Sequence, residues 1–188
     1  MKHYYKIILS AILWLSAVTY SAVLNMPLCP QEKSQWCWAA SCQMVLNYHG
    51  LYVDQKEIVK RIFGTLICQG GTDKDILNAL TGWAPDYRGR YSAIYSQRGL
   101  IAPSDIVKSL AYHWPLIVAL SNSNGSGHAE VMTAIYYSVD QYNNPIVDKV
   151  VLRNPWYVYD GSPSRQEMSW YEFSKRVRDI FKIWVVRL

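Results

Sequence analysis

A change in hydrophobic periodicity near residue 82 constrains the fold of this chain more than any other feature. Before it, apolar side chains such as Trp38, Cys42 and Val45 recur at steps of three and four residues, as in amphipathic helices. After it, short β-rich runs predict strands, with one more helix from Pro103 to Tyr112. We therefore predict an α+β fold, in which an N-terminal helical half packs on a C-terminal antiparallel β-sheet.

Capping signals define the ends of the early helices. Asp54 with Glu57, and Thr72 with Asp75, have the spacing of N-terminal capping boxes. Gly50 predicts the end of the first helix, since glycine adopts positive φ without strain. The other predicted elements are strands at residues 90–96, 115–120, 128–137, 149–156 and 181–188, and a short helix at residues 169–173.

The first 22 residues have the pattern of a secretory signal peptide. Lys2, His3 and Lys6 form a basic start, the apolar run at residues 7–18 follows, and small residues lie near position 22. The apolar run is shorter than the roughly 20 residues that a spanning helix needs. We predict a leader at 1–22, one domain at 23–188, and a secreted or periplasmic protein without stable membrane insertion after leader removal. An uncleaved signal anchor is the alternative.

Composition excludes several classes of protein. A chain of 188 residues that is 51% hydrophobic can bury a core, so disorder is not expected. The net charge of +5 includes leader lysines and a basic helix face, and no nucleic-acid-binding motif accompanies it. We expect a monomer that acts on a protein or peptide and binds no nucleic acid.

Four cysteines enter an oxidising compartment if the chain is exported. They are Cys29, Cys37, Cys42 and Cys68. If Cys37 stays free for chemistry, the other three allow one disulfide and one odd thiol, and the sequence leaves all three pairings open. The Cys-x4-Cys spacing, without CxxC or HxxxH, disfavours zinc. We expect no metal and no other cofactor.

Cys37 is the candidate nucleophile because a helix is predicted to begin there. The partial positive charge of a helix N-terminus favours thiolate, which is the reactive form of cysteine. The Cys37 N–H can donate to an oxyanion formed at the sulfur, and the side-chain NH2 of Gln31 can supply a second donor if the lead-in folds back. Trp38 can form a wall of the site.

A thiol nucleophile needs a base, and His128 is the best placed of four histidines. It follows the polar loop 121–127 and starts an apolar strand, a position that can face a cleft. His3 lies in the leader. His49 and His113 lie at predicted helix exits, where structural roles are expected.

Asn154 is the candidate that orients the base. Its side-chain oxygen can accept a hydrogen bond from His128 Nδ1–H and so fix the tautomer. Trp156, two residues later, can shield that bond from water. Glu130, on the same strand face as His128, and Asp148 are alternative third members.

Gln31, Cys37-Trp38, His128 and Asn154-Pro155-Trp156, in this order, resemble the papain-like cysteine peptidases. The pattern is similar to the compact bacterial branch, with the double-glycine or bacteriocin-leader peptidase-like domains and the staphopain and plant-pathogen effector group. The resemblance implies a papain-like fold, with Cys37 as nucleophile, His128 as general base and acid, Asn154 as orienter, and Gln31 with the Cys37 N–H as oxyanion hole.

Two departures from that pattern matter. His128 follows Cys37 by 91 residues, fewer than the roughly 130–150 of the cathepsin pattern, so the larger papain subfamily is not the match. Many compact relatives carry Asp-Pro where this chain has Asn154-Pro155.

The expected function is exported endopeptidase activity through a thioester acyl-enzyme, with Trp38 and Trp156 contacting substrate. Pocket walls are expected from residues 64–72, 121–127 and 155–165. Two alternatives remain open: another acyl transfer by the same triad, transglutaminase-like or deamidating, and a catalytically inert papain-like binding module.

Overall fold

The fold is described from a computed structural model that covers residues 19–83, 88–89, 92–123 and 125–187. The predicted leader therefore lies outside the described residues up to position 18. The last residues of the predicted leader are described. Tyr20–Val23 forms a first strand, β1, which pairs antiparallel with residues 134–137.

The helices follow the predicted order closely. They are α1 (Cys37–Tyr48), α2 (Gln55–Phe63), α3 (Asp73–Leu80), α4 (Pro103–Ala111), the four-residue α5 (Tyr157–Asp160) and α6 (Trp170–Arg176). Both predicted capping boxes are confirmed. The side chains of Asp54 and Thr72 accept from the N–H three residues on, and Glu57 and Asp75 return the second bond. Gly50 adopts a φ of 84°, as its position after α1 predicts.

The strands form one antiparallel sheet of seven. Beyond β1 they are β2 (Ser92–Arg98), β3 (Leu116–Ser121), β4 (Gly127–Val139), β5 (Pro145–Arg153), β6 (Arg165–Ser169) and β7 (Val177–Arg187). Their order across the sheet is β2-β7-β3-β4-β5-β6, with β1 attached to β4. Strands β1 and β6 and helix α5 were not predicted, since their sequences are short and carry no clear alternation.

Both faces of the sheet are covered, which explains the continuous apolar runs of β3 and β4. Successive side chains of a strand point to opposite faces. Ile117 joins the core under α1, α2 and α3, whereas Leu116 and Val118 join a second core that includes Ile106 and Leu110 of α4. The predicted α+β class is confirmed, and α4 and α6 add a helical layer on the far side.

No helix among the described residues is long and apolar enough to span a bilayer. All four cysteines lie in the described part of the chain, and each is a free thiol. None of the three disulfide pairings that the sequence left open is therefore formed in this structure.

Candidate active site

The start of α1 lies against the start of β4. Cys37 is the first residue of α1, and the Ser41 hydroxyl, one turn later, donates to the Ala129 carbonyl at 3.1 Å. The Cys37 sulfur also receives a hydrogen bond from the backbone of Ala129. The backbone of Ala129 is thus hydrogen-bonded to two side chains of α1, and His128 is the residue directly before it. These contacts place the nucleophile and base candidates on the same two cavities.

His128 is oriented by Asn154, which follows β5. The ring Nε2 lies 2.8 Å from Asn154 Oδ1. The backbone N–H of Trp156 donates to the same oxygen at 2.9 Å, and Asn154 Nδ2 donates to Ser162 Oγ at 3.0 Å. Because a backbone N–H can only donate, Oδ1 is the acceptor and Nε2 carries the proton. The predicted bond was to Nδ1. The structure uses the other nitrogen and leaves Nδ1 as the acceptor of the neutral ring.

Of the other described histidines and the alternative third members of the triad, only Glu130 lies beside His128. His49 follows α1, and the Nδ1 of His113 lies 3.3 Å from the Tyr48 hydroxyl. Neither lines the two cavities, and the exposed Asp148 does not line them. Glu130 does line one of them, with Oε1 3.8 Å from His128 Nε2.

Burial governs the ionisation of both reactive groups. Desolvation raises the pKa of the Cys37 thiol, while hydrogen bonds from the backbone of Ala129 and Trp38 act in the opposite direction. Desolvation also lowers the pKa of His128, against the bond to Asn154. The expectation from sequence considered only the helix N-terminus, which favours thiolate. Burial outweighs the helix terminus, so the neutral forms of sulfur and ring are favoured in the free site.

Gln31 lies near the triad candidates but does not open onto a cavity. Its backbone N–H donates to the Pro155 carbonyl at 3.0 Å, which ties the lead-in to the segment after Asn154. Its side-chain NH2 donates to the Lys33 carbonyl at 2.7 Å, and Oε1 is buried without a hydrogen-bond partner among the described residues. The glutamine that does line both cavities, together with Cys37, is Gln35, which no sequence signal singled out.

The two tryptophans around Cys37 hold the neighbouring loop in place. Trp36 Nε1 donates to the Ile67 carbonyl at 2.8 Å, and Trp38 Nε1 donates to the Gln69 carbonyl at 3.1 Å. Trp38 is only 1% exposed. It lies under Gly71 and is among the residues that line the first of the two cavities, and its contact with substrate stays a prediction.

One cavity, of about 510 Å³, lies between that loop and the sheet. Its lining includes Gly70, Gly71, Thr72, Ile76, Ala119 and Arg178. At its edge, Arg98 pairs with Asp73 at 2.8 Å and with Asp179. The cavity next to Cys37 therefore combines small and apolar groups with the paired charges at its edge and the guanidinium of Arg178.

The second cavity, of about 930 Å³, is also lined by Cys37. It is lined by residues of the 121–127 loop and by Trp156, Asp160, Lys175 and Arg176. The Trp156 ring stacks on Tyr159 with centroids 4.5 Å apart. All three segments expected to form walls therefore contribute to the two cavities: 64–72 to the first, and 121–127 and 155–165 to the second.

A cysteine at a helix tip, beside a His–Asn pair carried by an antiparallel sheet, defines the papain-like class of cysteine peptidases. Comparison with known proteins agrees. Residues 23–178 match the model of the Peptidase_C39 like family, and the chain belongs to this family, a family of cysteine peptidases. The resemblance to the double-glycine peptidase branch is thereby confirmed.

Two solved structures share the fold. One is a double glycine motif protease from an AMS/PCAT transporter in complex with the leader peptide, at 14% identity and a TM-score of 0.56, covering 89% of this chain and 95% of the other. The second is the peptidase domain of Streptococcus ComA, a bifunctional ABC transporter, at 16% identity and a TM-score of 0.58, covering 87% and 100%. A search of curated protein sequences gave no significant match.

Proposed function

We propose that this protein is an exported cysteine endopeptidase whose triad is Cys37, His128 and Asn154. The observation that carries the proposal is the His128 ring, held by Asn154 through Nε2 at 2.8 Å, on the same cavities as the helix-tip Cys37. Nδ1 is left to accept a proton from the sulfur. The arrangement suits acyl transfer, in which the nucleophile must lose a proton and the leaving amine must gain one.

The reaction follows from this geometry. The Cys37 proton moves to His128 Nδ1, and the thiolate attacks the peptide carbonyl. The oxyanion accepts a hydrogen bond from the Cys37 N–H at the start of α1, with Gln31 as the proposed second donor. His128 then protonates the leaving amine, and water, activated by the same ring, hydrolyses the thioester.

An extended peptide is the proposed substrate. The two cavities share Cys37 and His128 in their lining, so a chain that occupies both would present one peptide bond to the sulfur. A leader peptide is bound in one of the structural neighbours, which supports a peptide ligand for this cleft. Trp156, with its stacked partner Tyr159, is proposed to contact the substrate in the larger cavity.

An active-site probe tests the triad. A papain-directed epoxide should alkylate Cys37 in the reduced wild-type protein, and peptide-library cleavage should be measured in parallel. Cys37→Ala should lose both, whereas Cys68→Ser, which removes an exposed thiol, should keep both. Selective labelling without cleavage, but with crosslinking of an amine donor to peptide, would redirect the proposal to another acyl transfer. No labelling of Cys37 would favour an inert binding module.

Export is proposed from the 1–22 pattern and needs a separate test. Mass spectrometry of the protein recovered from periplasm or medium should give the mature N-terminus. A cut after residue 22 would remove three of the four residues of β1. Recovery of the intact chain only in a membrane fraction would contradict leader removal.

A further inference from the structure

Glu130 has a location that the fold does not explain. It lies two residues after His128 on the same face of β4, and it is 2% exposed. Its Oε1 lies 3.8 Å from His128 Nε2, while its Oε2 is buried without a hydrogen-bond partner among the described residues. Buried polar atoms are nearly always paired. This carboxyl makes few contacts that would stabilise the fold, and it lies near the candidate base. Its position therefore points to a role in the reaction of Cys37 and His128.

Several charged groups face this carboxyl. Arg176 of α6 and Asp160 of α5 act on it across the larger cavity, and Lys175 lines the same cavity. Desolvation raises the pKa of Glu130 to about 7, with Arg176 opposing and Asp160 adding to the rise. On the helical side, Cys37 is the titratable group that the carboxyl affects. Glu130 thus changes charge within the pH range in which a thiol peptidase works.

We propose that Glu130 is a positioning residue of this site, whose carboxylate lies beside the Nε2–H of His128 that Asn154 accepts and stabilises the imidazolium formed when Cys37 ionises. The inference rests on the proposed function, since it concerns the same triad. It assigns Glu130 a role beside Asn154, with the amide fixing the ring and the carboxylate supplying charge.

The proton balance is simple. The Cys37 proton moves to Nδ1, which leaves one negative charge on sulfur and one positive charge on the ring. The Nε2 proton stays on the ring and is donated to Asn154 Oδ1, with Glu130 Oε1 3.8 Å from the same nitrogen. Ionised Glu130 stabilises the ring charge, and protonated Glu130 does not. The carboxylate also raises the pKa of Cys37, but this is the smallest of the contributions to that pKa. For the thiolate–imidazolium pair to be favoured as Glu130 ionises, the attraction between the carboxylate and the imidazolium, 3.8 Å apart, must exceed this opposing effect on the sulfur.

The test is Glu130→Gln in the full chain, with Glu172→Gln as the matched control. Glu172 is exposed and pairs with the same Arg176 at 3.4 Å, so its replacement removes one acidic partner of that arginine while Glu130 stays beside His128. The first measurement is the His128 ring titration by ¹⁵N NMR. The second is the rate of Cys37 alkylation by iodoacetamide from pH 6 to 8.

In Glu130→Gln, the part of the His128 titration near pH 7 that depends on the ionised carboxylate should be lost, so the ring should titrate in one step about one pH unit lower. Cys37 alkylation near pH 7 should slow about tenfold, which corresponds to one pKa unit. Glu172→Gln should change neither. In the wild type, the Nε2 shift should show a second step as Glu130 ionises, a readout that holds even if the variant does not fold.

A His128 titration that is the same in Glu130→Gln and wild type, or a wild-type Nε2 shift with a single step, would overturn the inference. Neither readout requires peptide cleavage. A shifted His128 titration in a protein that cleaves no peptide would therefore overturn the proposed function and leave the role of Glu130 standing.

Discussion

The indole of Trp38 lies directly beneath Gly71, so closely that a Cβ on Gly71 would lie 2.5 Å from the ring carbon Cδ2. Real Cβ atoms do not approach other atoms to that distance. The ring is held by its hydrogen bond to the Gln69 carbonyl and by an edge contact with Phe63, so it has little room to move. The wall of the cavity beside Cys37 can therefore exist only with glycine at position 71.

Gly71→Ala should displace this wall and destabilise the fold by about 1–3 kcal/mol, the usual effect of overpacking. Urea unfolding measures the stability, and peptide cleavage measures the cleft. Gly70→Ala is the matched control, because a Cβ there meets only Gln35 Oε1 at an ordinary 3.5 Å. Equal effects of the two substitutions would show that loop entropy, and not the contact with Trp38, dominates.

Asn154→Ala should reduce kcat by about 10- to 100-fold, since a hydrogen bond to a charged group contributes roughly 1.5–3 kcal/mol. The reason is the loss of the acceptor that fixes the Nε2–H tautomer. Asn154→Asp should retain most of the activity, because a carboxylate accepts the same bonds from His128 and from the Trp156 N–H. Steady-state kinetics of the wild type and the two variants should therefore differ in kcat. A change confined to KM would assign Asn154 to substrate binding.

Gln31→Ala should reduce kcat by about 100- to 1000-fold if Gln31 is the second oxyanion donor. For that role its NH2 must leave the Lys33 carbonyl, which it now faces at 2.7 Å, when substrate binds. Gln35→Ala is the comparison, since Gln35 lines both cavities beside Cys37. A larger loss in Gln35→Ala would transfer the donor role to that residue.

Glu130→Gln should stabilise the protein at pH 8 and not at pH 4. The pKa of Glu130 in the folded protein is raised to about 7 from an ordinary value of 4.5. The wild-type protein therefore becomes less stable as the pH rises through this range, because the buried carboxyl must ionise. The difference corresponds to roughly 3 kcal/mol at about 1.4 kcal/mol per pKa unit. Urea unfolding of both proteins at the two pH values checks it. If the difference in unfolding free energy between Glu130→Gln and the wild type does not increase with pH, the raised pKa of Glu130 is contradicted.

Gln55→Leu should destabilise the fold by about 1–3 kcal/mol for each polar group left unpaired. Gln55 is buried, and its amide donates to the Pro30 carbonyl and to Gln43 Oε1 while accepting from the Glu32 N–H, all at 2.9 Å. It thus fixes the lead-in that carries Gln31. Gln97→Leu, on the exposed surface of β2, should have little effect by the same unfolding measurement. Similar losses in both would remove the special role of Gln55.

The sequence by itself determined those features that depend on near neighbours. The capping boxes at Asp54 and Thr72 were predictable because each is complete within four residues. Hydrophobic periodicity gave the helices of the first half and the sheet of the second. The Gln31, Cys37, His128 and Asn154 pattern identified the family, and their catalytic roles stay predictions.

Tertiary structure decided what depends on residues far apart in the chain. Asn154, 26 residues from His128, decides which ring nitrogen of that histidine is bonded. The loop that Trp38 supports lies 31 residues further along the chain. The local turn at Lys33 sets the direction of the Gln31 amide. The pKa of Cys37, like the bond of His128, depends on distant residues. A helix terminus is visible in a sequence, but the desolvation that outweighs it arises only when the sheet, the loop over Trp38 and the first helix close around the sulfur.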